Sequence, residues 1–208
     1  MNFLRNHWYD LGGFFALLIG LFLVSNYASL TAYQLLMWVS VITLFLHQLE
    51  EYRIVGTFPR MVNSILFKSS EPHRFPLNTN TSLMINVWLG WVIYLLAAIF
   101  AEKCVWLGMA SILVSLGNII AHTFIFNIKG KTFYNAGMVT SLFCFAPCVY
   151  FFFKMINQLN LAKSSDYIFG IVLGLVLNIA VVVSIKLLAR NDSPYSFPNR
   201  NVLPKDRN

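Results

Sequence analysis

The sequence predicts an all-α fold, a polytopic membrane helical bundle of about six transmembrane helices. Of the 208 residues, 58% are hydrophobic and only 11% are charged. Apolar runs recur along the chain, and they are long enough for the ~20 residues that a helix needs to cross a bilayer. The connections between them are short, so helices adjacent in sequence should be antiparallel neighbours.

Hydropathy places the predicted spans at about residues 10–29, 32–53, 83–101, 104–127, 133–156 and 167–189. The segment before the first span holds only Arg5 as a basic residue, together with bulky apolar residues. This composition is unlike the n-region of a cleaved signal peptide, so we expect the first span to be retained as a helix. Residues 1–190 are therefore predicted to form a single transmembrane domain.

Two predicted segments lie outside the spans. After Pro59, apolar residues recur at helical spacing, which predicts an interfacial helix over about residues 58–68. The members of this apolar stripe are Phe58, Met61, Val62, Ile65 and Leu66. Residues 191–208 are polar and rich in Pro and Asn, which is typical of a cytoplasmic tail.

The basic residues predict that both termini are cytoplasmic. With the N-terminus inside, all but three of the 15 Lys and Arg residues fall on the inner side, the exceptions being Lys103, Lys154 and Lys163. This asymmetry and an anionic inner leaflet account for the net charge of +7 without a nucleic-acid partner. We expect a multi-pass protein of the plasma or inner membrane, surrounded by membrane lipids.

Three ionisable residues, His47, Glu50 and Glu51, close the second predicted span. Such groups are costly at membrane depth, so their presence indicates a functional site. In a helix their i, i+3 and i+4 spacing places all three on one face. The carboxylates also lie in the last turn, where the helix dipole is negative, so we expect a cation nearby.

A second histidine is predicted to lie at the same depth. The second and fourth spans both run towards the inner side, and His47 and His122 stand six and seven residues before the basic residues that mark the boundary. At ~1.5 Å per residue both lie roughly 9–11 Å from that boundary. We therefore expect one pocket open to the cytoplasm, lined by His47, Glu50, Glu51, Asn86, Asn118, His122 and Tyr134.

Plainer interpretations of these residues remain open. Glu50 and Glu51 could be boundary charges close to water. His122 could be an interhelical hydrogen-bonding group, and a single amide such as Asn86 or Asn118 is a common helix-packing device.

The motif His47-Gln48-Leu49-Glu50-Glu51, the later His122 and the tetrapeptide Tyr134-Asn135-Ala136-Gly137 resemble the HXXEE-domain family of small integral membrane proteins. That family combines the first motif with a further histidine and a Tyr-x-Pro-Gly element. Ala136 stands where the proline is expected, whereas Tyr134 and Gly137 match. The resemblance covers residues 47–137 and implies which residues matter, but the family's function is unknown.

Two histidines, one carboxylate and a second free carboxylate have the composition of a catalytic zinc site. The order of residues is also similar to the inverted zinc motif H-x-x-E-H, with Glu51 in place of the last histidine. On this interpretation His47, Glu51 and His122 bind one divalent metal, zinc before iron. Glu50 takes the proton of the bound water, and the roles of Glu50 and Glu51 could be exchanged.

The predicted function is metal-dependent hydrolysis of a lipid-like, amphiphilic substrate, with Asn118 or Tyr134 polarising a carbonyl. One alternative is a small proton- or cation-coupled carrier that uses the His/Glu cluster. Another is a di-iron lipid-modifying oxidoreductase, although such sites usually take about four carboxylates. Only Glu50 and Glu51 are inward candidates here.

Overall fold

The computed structural model describes residues 2–198, and every regular element within this range is helical. The prediction of an all-α membrane bundle is confirmed. The helices are α1 (Asn2–Asn26), α2 (Ala32–Ile54), α3 (residues 58–66), α4 (residues 79–100), α5 (residues 105–130), α6 (Met138–Gln158) and α7 (Ser164–Leu187).

Six of these helices are long enough to cross a membrane. Five uninterrupted apolar stretches have the required length, and the longest, Thr79–Gly130, comprises 52 residues. This stretch reverses at a 3₁₀ turn, Ala101–Cys104, where Ala101 adopts a φ of 29°. Its two halves, α4 and α5, then pack against each other, so the stretch supplies two of the six helices.

The outward faces of the bundle are apolar. Large hydrophobic side chains such as Leu17 and Leu21 on α1 and Val172 and Ile179 on α7 are more than half exposed. A continuous exposed apolar surface of this kind indicates contact with lipid rather than with water.

Small residues bring α7 close to α5. A Cβ atom added at Gly170 or Gly174 would lie 2.7 Å from the Cβ atom of Met109 or Leu113, respectively. One turn further on, the Asn178 amide donates to the carbonyl oxygens of Leu113, at 3.1 Å, and Gly174, at 2.8 Å. Gly170, Gly174 and Asn178 therefore form one contact face, in the manner of small-residue helix interfaces in membranes.

Four of the membrane-length helices contain π-helical turns, which the sequence did not predict. These turns are Glu50–Ile54 in α2, Ile85–Trp91 in α4, Ala121–Ile125 in α5 and Ser141–Phe145 in α6. A π turn inserts extra backbone into the helix and so changes which side chains share a face, often at functional sites. The turns in α2 and α5 begin at or next to the candidate site residues.

The short helix α3 faces the protein with its apolar side. Met61 and Val62 are buried, and the Phe58 ring stacks on the His122 ring with centroids 5.4 Å apart. The expected helix is present, and it contacts the ends of α2 and α5.

The beginning of the polar tail also contacts the bundle. The Phe197 N–H donates to the His73 carbonyl oxygen at 2.8 Å, and Arg74 donates to the Ser193 carbonyl oxygen at 3.0 Å. The Phe197 side chain is buried near Tyr52. The remainder of the predicted tail, residues 199–208, lies outside the described residues.

Candidate metal centre

The last turns of α2 place His47 and Glu51 one helical turn apart on the side that faces α5. The Nε2 atom of His47 lies 3.4 Å from the Oε1 atom of Glu51. Both side chains are almost fully buried. The i, i+4 relationship expected from the sequence is therefore realised for this pair.

His122 completes the group from α5. It follows the first residue of the π turn Ala121–Ile125, and its Nε2 atom lies 3.2 Å from the same Oε1 atom of Glu51. One ligand atom each from His47, Glu51 and His122 lie within 4.8 Å of one another, and all three residues are buried. The two histidines, which were predicted to lie at the same depth, both lie beside the Glu51 carboxylate. The group could hold a metal ion.

The proton on His122 can be assigned from its neighbours. Nδ1 of His122 lies 2.7 Å from the amide oxygen of Asn135. The Asn135 amide nitrogen donates to the His122 carbonyl oxygen and to the Asn127 side-chain oxygen, both at 2.7 Å, which fixes the orientation of the amide. Because an amide oxygen only accepts, Nδ1 carries the proton, and Nε2 is the ring nitrogen that faces Glu51 and can bind a metal.

The same reasoning applies to His47. Its Nδ1 atom lies 2.8 Å from the Thr140 hydroxyl oxygen, and that hydroxyl lies 2.6 Å from Oε2 of Glu50. The carboxylate can only accept, so the hydroxyl donates to Glu50 and accepts the Nδ1 proton of His47. Nε2 of His47 is therefore the second ring nitrogen that faces Glu51 and can bind a metal.

In their neutral forms the two imidazoles thus present two lone pairs to one carboxylate oxygen. Neither Nε2 atom has a hydrogen-bond partner within the part of the chain that the structure describes. Buried acceptors left in this way are costly, and a cation shared among them removes the cost. Ligand atoms at ~2.0–2.2 Å from a tetrahedral zinc lie about 3.3–3.5 Å apart, close to the observed separations of 3.2 and 3.4 Å.

Glu50 is directed away from this group towards the start of α6. Its carboxylate accepts from the backbone N–H groups of Val139, at 3.2 Å, and Thr140, at 2.8 Å, from the Thr140 hydroxyl, and from the Tyr134 hydroxyl at 3.0 Å. The N-terminal turn of a helix is favourable for negative charge. Four donors therefore hold the Glu50 carboxylate on the side of α6, so it does not join the three candidate ligands.

Tyr134 belongs to the Glu50 side of the site. Burial, and then the adjacent Glu50 carboxylate, raise the pKa of Tyr134 to about 12. The phenol therefore remains protonated near neutral pH and acts as a hydrogen-bond donor to Glu50. It does not line the cavity beside His122, where a carbonyl to be polarised would lie.

Gly137 lets the loop before α6 cross directly over both imidazole rings. Its φ is +99°, a conformation that side chains disfavour. A Cβ atom at this position would lie 2.8 Å from Nδ1 of His122 and 2.9 Å from Cε1 of His47. The tetrapeptide at residues 134–137 therefore supplies a donor to Glu50, an acceptor for His122 and the glycine that covers both rings.

A cavity of about 560 Å³ adjoins the three candidate ligands. His47, Glu51 and His122 form part of its wall, and most of the remaining lining is apolar. Asn118 lies one turn before His122 and lines the same cavity, with its amide nitrogen donating to the Val114 carbonyl oxygen at 3.0 Å. One N–H and the side-chain oxygen of Asn118 remain available for a bound molecule.

Of the seven residues expected in one pocket, the cavity collects His47, Glu51, Asn86, Asn118 and His122. Glu50 and Tyr134 lie behind His47 instead. The Asn86 side chain forms hydrogen bonds with other residues of the bundle. Its oxygen accepts from the Gln48 amide at 3.1 Å, and its nitrogen donates to the Tyr52 hydroxyl at 3.3 Å.

Two residues that orient the histidines received no role from the sequence. Asn135 belongs to the tetrapeptide and lies at the start of the fifth predicted span, and no sequence motif includes Thr140. The sequence does contain a signal for Thr140, because it follows a turn that contains Gly137 and can lie in the first turn of a helix. The free backbone N–H groups of that turn can donate to a carboxylate.

The fold and site define a small helical protein of membrane-spanning dimensions with a buried group of two histidines and one carboxylate. A family described as "Protein of unknown function with HXXEE motif" matches residues 38–152, more than half of the chain. The chain belongs to this family, as the motif indicated. No curated protein and no solved structure matches the chain.

Proposed function

We propose that this protein is an integral membrane, metal-dependent hydrolase that acts on a lipid-like amphiphile. One observation carries the proposal: two imidazole lone pairs and a buried carboxylate converge beside a largely apolar cavity. Two histidines and a glutamate form the protein ligands of several zinc hydrolases, which leave one position open for water. We take zinc as the metal and iron as the second choice.

His47, Glu51 and His122 would hold the ion, each through one atom. When bound, the metal acts as a Lewis acid and lowers the pKa of a water molecule at the open position. Thr140 and Asn135 hold the Nδ1–H groups of the two histidines, which fixes the ring orientation and raises the basicity of the opposite nitrogen.

The reaction we propose is hydrolysis of an ester or amide bond. The oxygen of water bonds to the carbonyl carbon, the carbon–oxygen or carbon–nitrogen bond breaks, and the proton from water passes to the departing oxygen or nitrogen. Both imidazoles approach Oε1 of Glu51, so we assign proton transfer to its Oε2 atom. Asn118 would donate to the carbonyl oxygen of the substrate.

Glu50 then serves as a positioning residue rather than as the base. Its carboxylate is already bound by four donors, and it reaches the metal group only through Thr140 and His47. Such an outer carboxylate tunes a histidine ligand without touching the ion.

We propose that both termini face the cytoplasm. The triad of His47, Glu51 and His122 would then lie nearer to the cytoplasmic surface of the membrane. The helices of membrane length and the concentration of basic residues at one side support this orientation. The cavity has its basic end at Lys129 and Lys186, and its opposite, deep end is lined by Leu44, Val114 and Leu177. An apolar end suits a binding pocket better than a transport path, which would carry polar groups along its length.

Metal analysis of protein purified without chelators tests the proposal. We expect about one equivalent of zinc per chain, with most of it lost in Glu51→Gln and His122→Ala. His73→Ala is the matched control, because His73 is exposed outside the cavity and should leave the content unchanged. Iron in place of zinc would favour an oxidoreductase, since the same ligand types bind Fe(II) in oxygenases. Failure to bind any of these metals after reconstitution would contradict the proposal and favour the carrier alternative.

Activity gives the second test. Zinc-loaded protein in lipid nanodiscs should hydrolyse single-chain esters or amides, and Asn118→Ala should lower kcat by about 10²–10³-fold, the scale for loss of one donor to a developing oxyanion. Asn157→Ala, an exposed amide near the end of α6, should have no effect. Equal activity in the two variants would remove Asn118 from the mechanism.

A further inference from the structure

The basic end of the cavity indicates what kind of amphiphile it takes. Lys129, near the end of α5, and Lys186, near the end of α7, both line this end and are exposed. Neither forms an ion pair within residues 2–198. Two cationic side chains from adjacent helices therefore share one opening without a protein anion between them.

The acidic residues of the described chain are engaged elsewhere. Glu50 and Glu51 belong to the candidate metal centre. Asp10 contacts Arg53, Glu71 contacts Arg74, and Asp192 contacts Arg190. Glu102 accepts from the Thr31 hydroxyl, and Asp166 accepts from the Lys163 backbone N–H. The positive charge at the basic end is thus left for an external anion.

The cavity runs along the bundle from this charge to an apolar interior. Lys129 is seven residues beyond His122 on α5, or ~10 Å along the axis, and Val114 is eight residues before it, or ~12 Å. The triad therefore lies between the lysines and the deep end at Leu44, Val114 and Leu177. At ~30 Å³ per group of the size of a water molecule, 560 Å³ accommodates on the order of 20 such groups.

We infer that the cavity binds a single-chain amphiphile with an anionic oxygen headgroup, carboxylate or phosphate, held by Lys129 and Lys186 with its chain at the deep end. This inference rests on the proposed function, because it names the class of substrate that the same cavity would bind. It also places the bond to be cleaved between the headgroup and the chain, because the triad lies between the sites for these two parts.

Equilibrium binding of dodecyl phosphate, dodecanoate and dodecanol to the full chain in zwitterionic nanodiscs tests the inference. Chelator is present throughout, so that metal ligation contributes nothing. We expect at least ~10-fold tighter binding of one or both anions than of dodecanol, since hydrogen bonds to ionised groups are stronger than neutral ones. A preference for phosphate or for carboxylate identifies the headgroup.

The variant Lys129→Gln/Lys186→Gln should bind the anions at least ~10-fold more weakly and dodecanol unchanged. Lys129→Arg/Lys186→Arg keeps the charge and should retain the preference. Lys131→Gln is the matched control, because it removes one charge near the end of α5 from a residue that does not line the cavity. If the glutamine variant fails to fold, the rate of lysine acetylation in the wild type replaces it: dodecyl phosphate, and not dodecanol, should protect Lys129 and Lys186.

Equal binding of anions and dodecanol, or unprotected lysines, would overturn the inference while leaving the metal centre untouched. Conversely, a chain that binds no metal but still prefers the anions would end the hydrolase proposal and leave the headgroup site standing. The two failures are therefore distinguishable in the same preparation.

Discussion

The two adjacent glutamates of the motif point in different directions and have different partners. Glu51 faces the Nε2 atoms of two histidines, whereas Glu50 binds the first turn of α6 and is linked to His47 through the Thr140 hydroxyl. Helical spacing alone could not separate them, because i+3 and i+4 share a face in a regular helix. The π turn that begins at Glu50 lies where they diverge.

The Thr140 hydroxyl can be tested by replacing it with a methyl group. Thr140→Val removes the partner of the His47 Nδ1–H and one of the two donors to Oε2 of Glu50, so we expect metal affinity to fall by about 10–100-fold. Thr140→Ser keeps the hydroxyl and should bind metal as the wild type does. Competition with a chelator of known affinity measures both. Wild-type affinity in Thr140→Val would show that the hydroxyl does not support His47.

An added methyl group at Gly137 should damage both the fold and the site. In Gly137→Ala the Cβ atom would contact both imidazoles, and the left-handed conformation alone costs about 1–3 kcal/mol. We expect a lower unfolding temperature and loss of bound metal. Gly20→Ala is the control: nothing lies within 4 Å of its Cβ position, so helix propensity should leave stability equal or higher by about 0.5–1 kcal/mol. Similar melting of both variants would contradict the close packing at Gly137.

At the scale of elements, two helix pairs build the site. α2 and α5 bring the ligands together, and α7 closes the cavity by packing on α5 through Gly170, Gly174 and Asn178. Asn178 is a polar residue near the middle of α7, at a depth where a transport path would need polar groups. Its hydrogen bonds to Leu113 and Gly174 instead make it a packing residue at the edge of the cavity.

Enlarging Gly174 should separate α5 from α7. Gly174→Val places carbon atoms where the Leu113 side chain lies, and overpacking of this kind costs about 1–3 kcal/mol. Thermal unfolding in detergent should show the loss, and Gly20→Val, on the lipid-facing side of α1, should show much less. A Gly174→Val protein as stable as the Gly20→Val protein would mean that α5 and α7 are not in close contact.

At the scale of the whole molecule, hydropathy was sufficient to predict the helical architecture. The six helices lie close to their predicted ranges, because length and apolarity alone decide what can cross a bilayer. The helical rise likewise predicted that His47 and His122 lie at the same level of α2 and α5, and the two rings are neighbours in the structure. The directions of Glu50, Tyr134 and α3 were not predictable, since they depend on π turns and on a left-handed glycine whose positions have no local signal.

The proposed orientation can be measured in a variant whose three cysteines, Cys104, Cys144 and Cys148, are replaced by alanine. An impermeant maleimide added to intact cells should label Asn160→Cys, in the connection between α6 and α7. It should label Thr132→Cys, between α5 and α6, only after permeabilisation, because basic connections stay inside. The opposite pattern would invert the bundle and place the basic end of the cavity outside.

The contact between Glu50 and Thr140 has a consequence for biogenesis, because the two residues are 90 positions apart in the chain. At about 5–20 residues per second, α2 leaves the ribosome roughly 5–18 s before the first turn of α6 exists. During that interval two carboxylates and a histidine of α2 lack the donors and the second histidine that complete the site. We expect α2 to be held at the translocon or by an insertion chaperone until α6 is made, so that chains truncated before residue 138 are degraded rather than released into the bilayer.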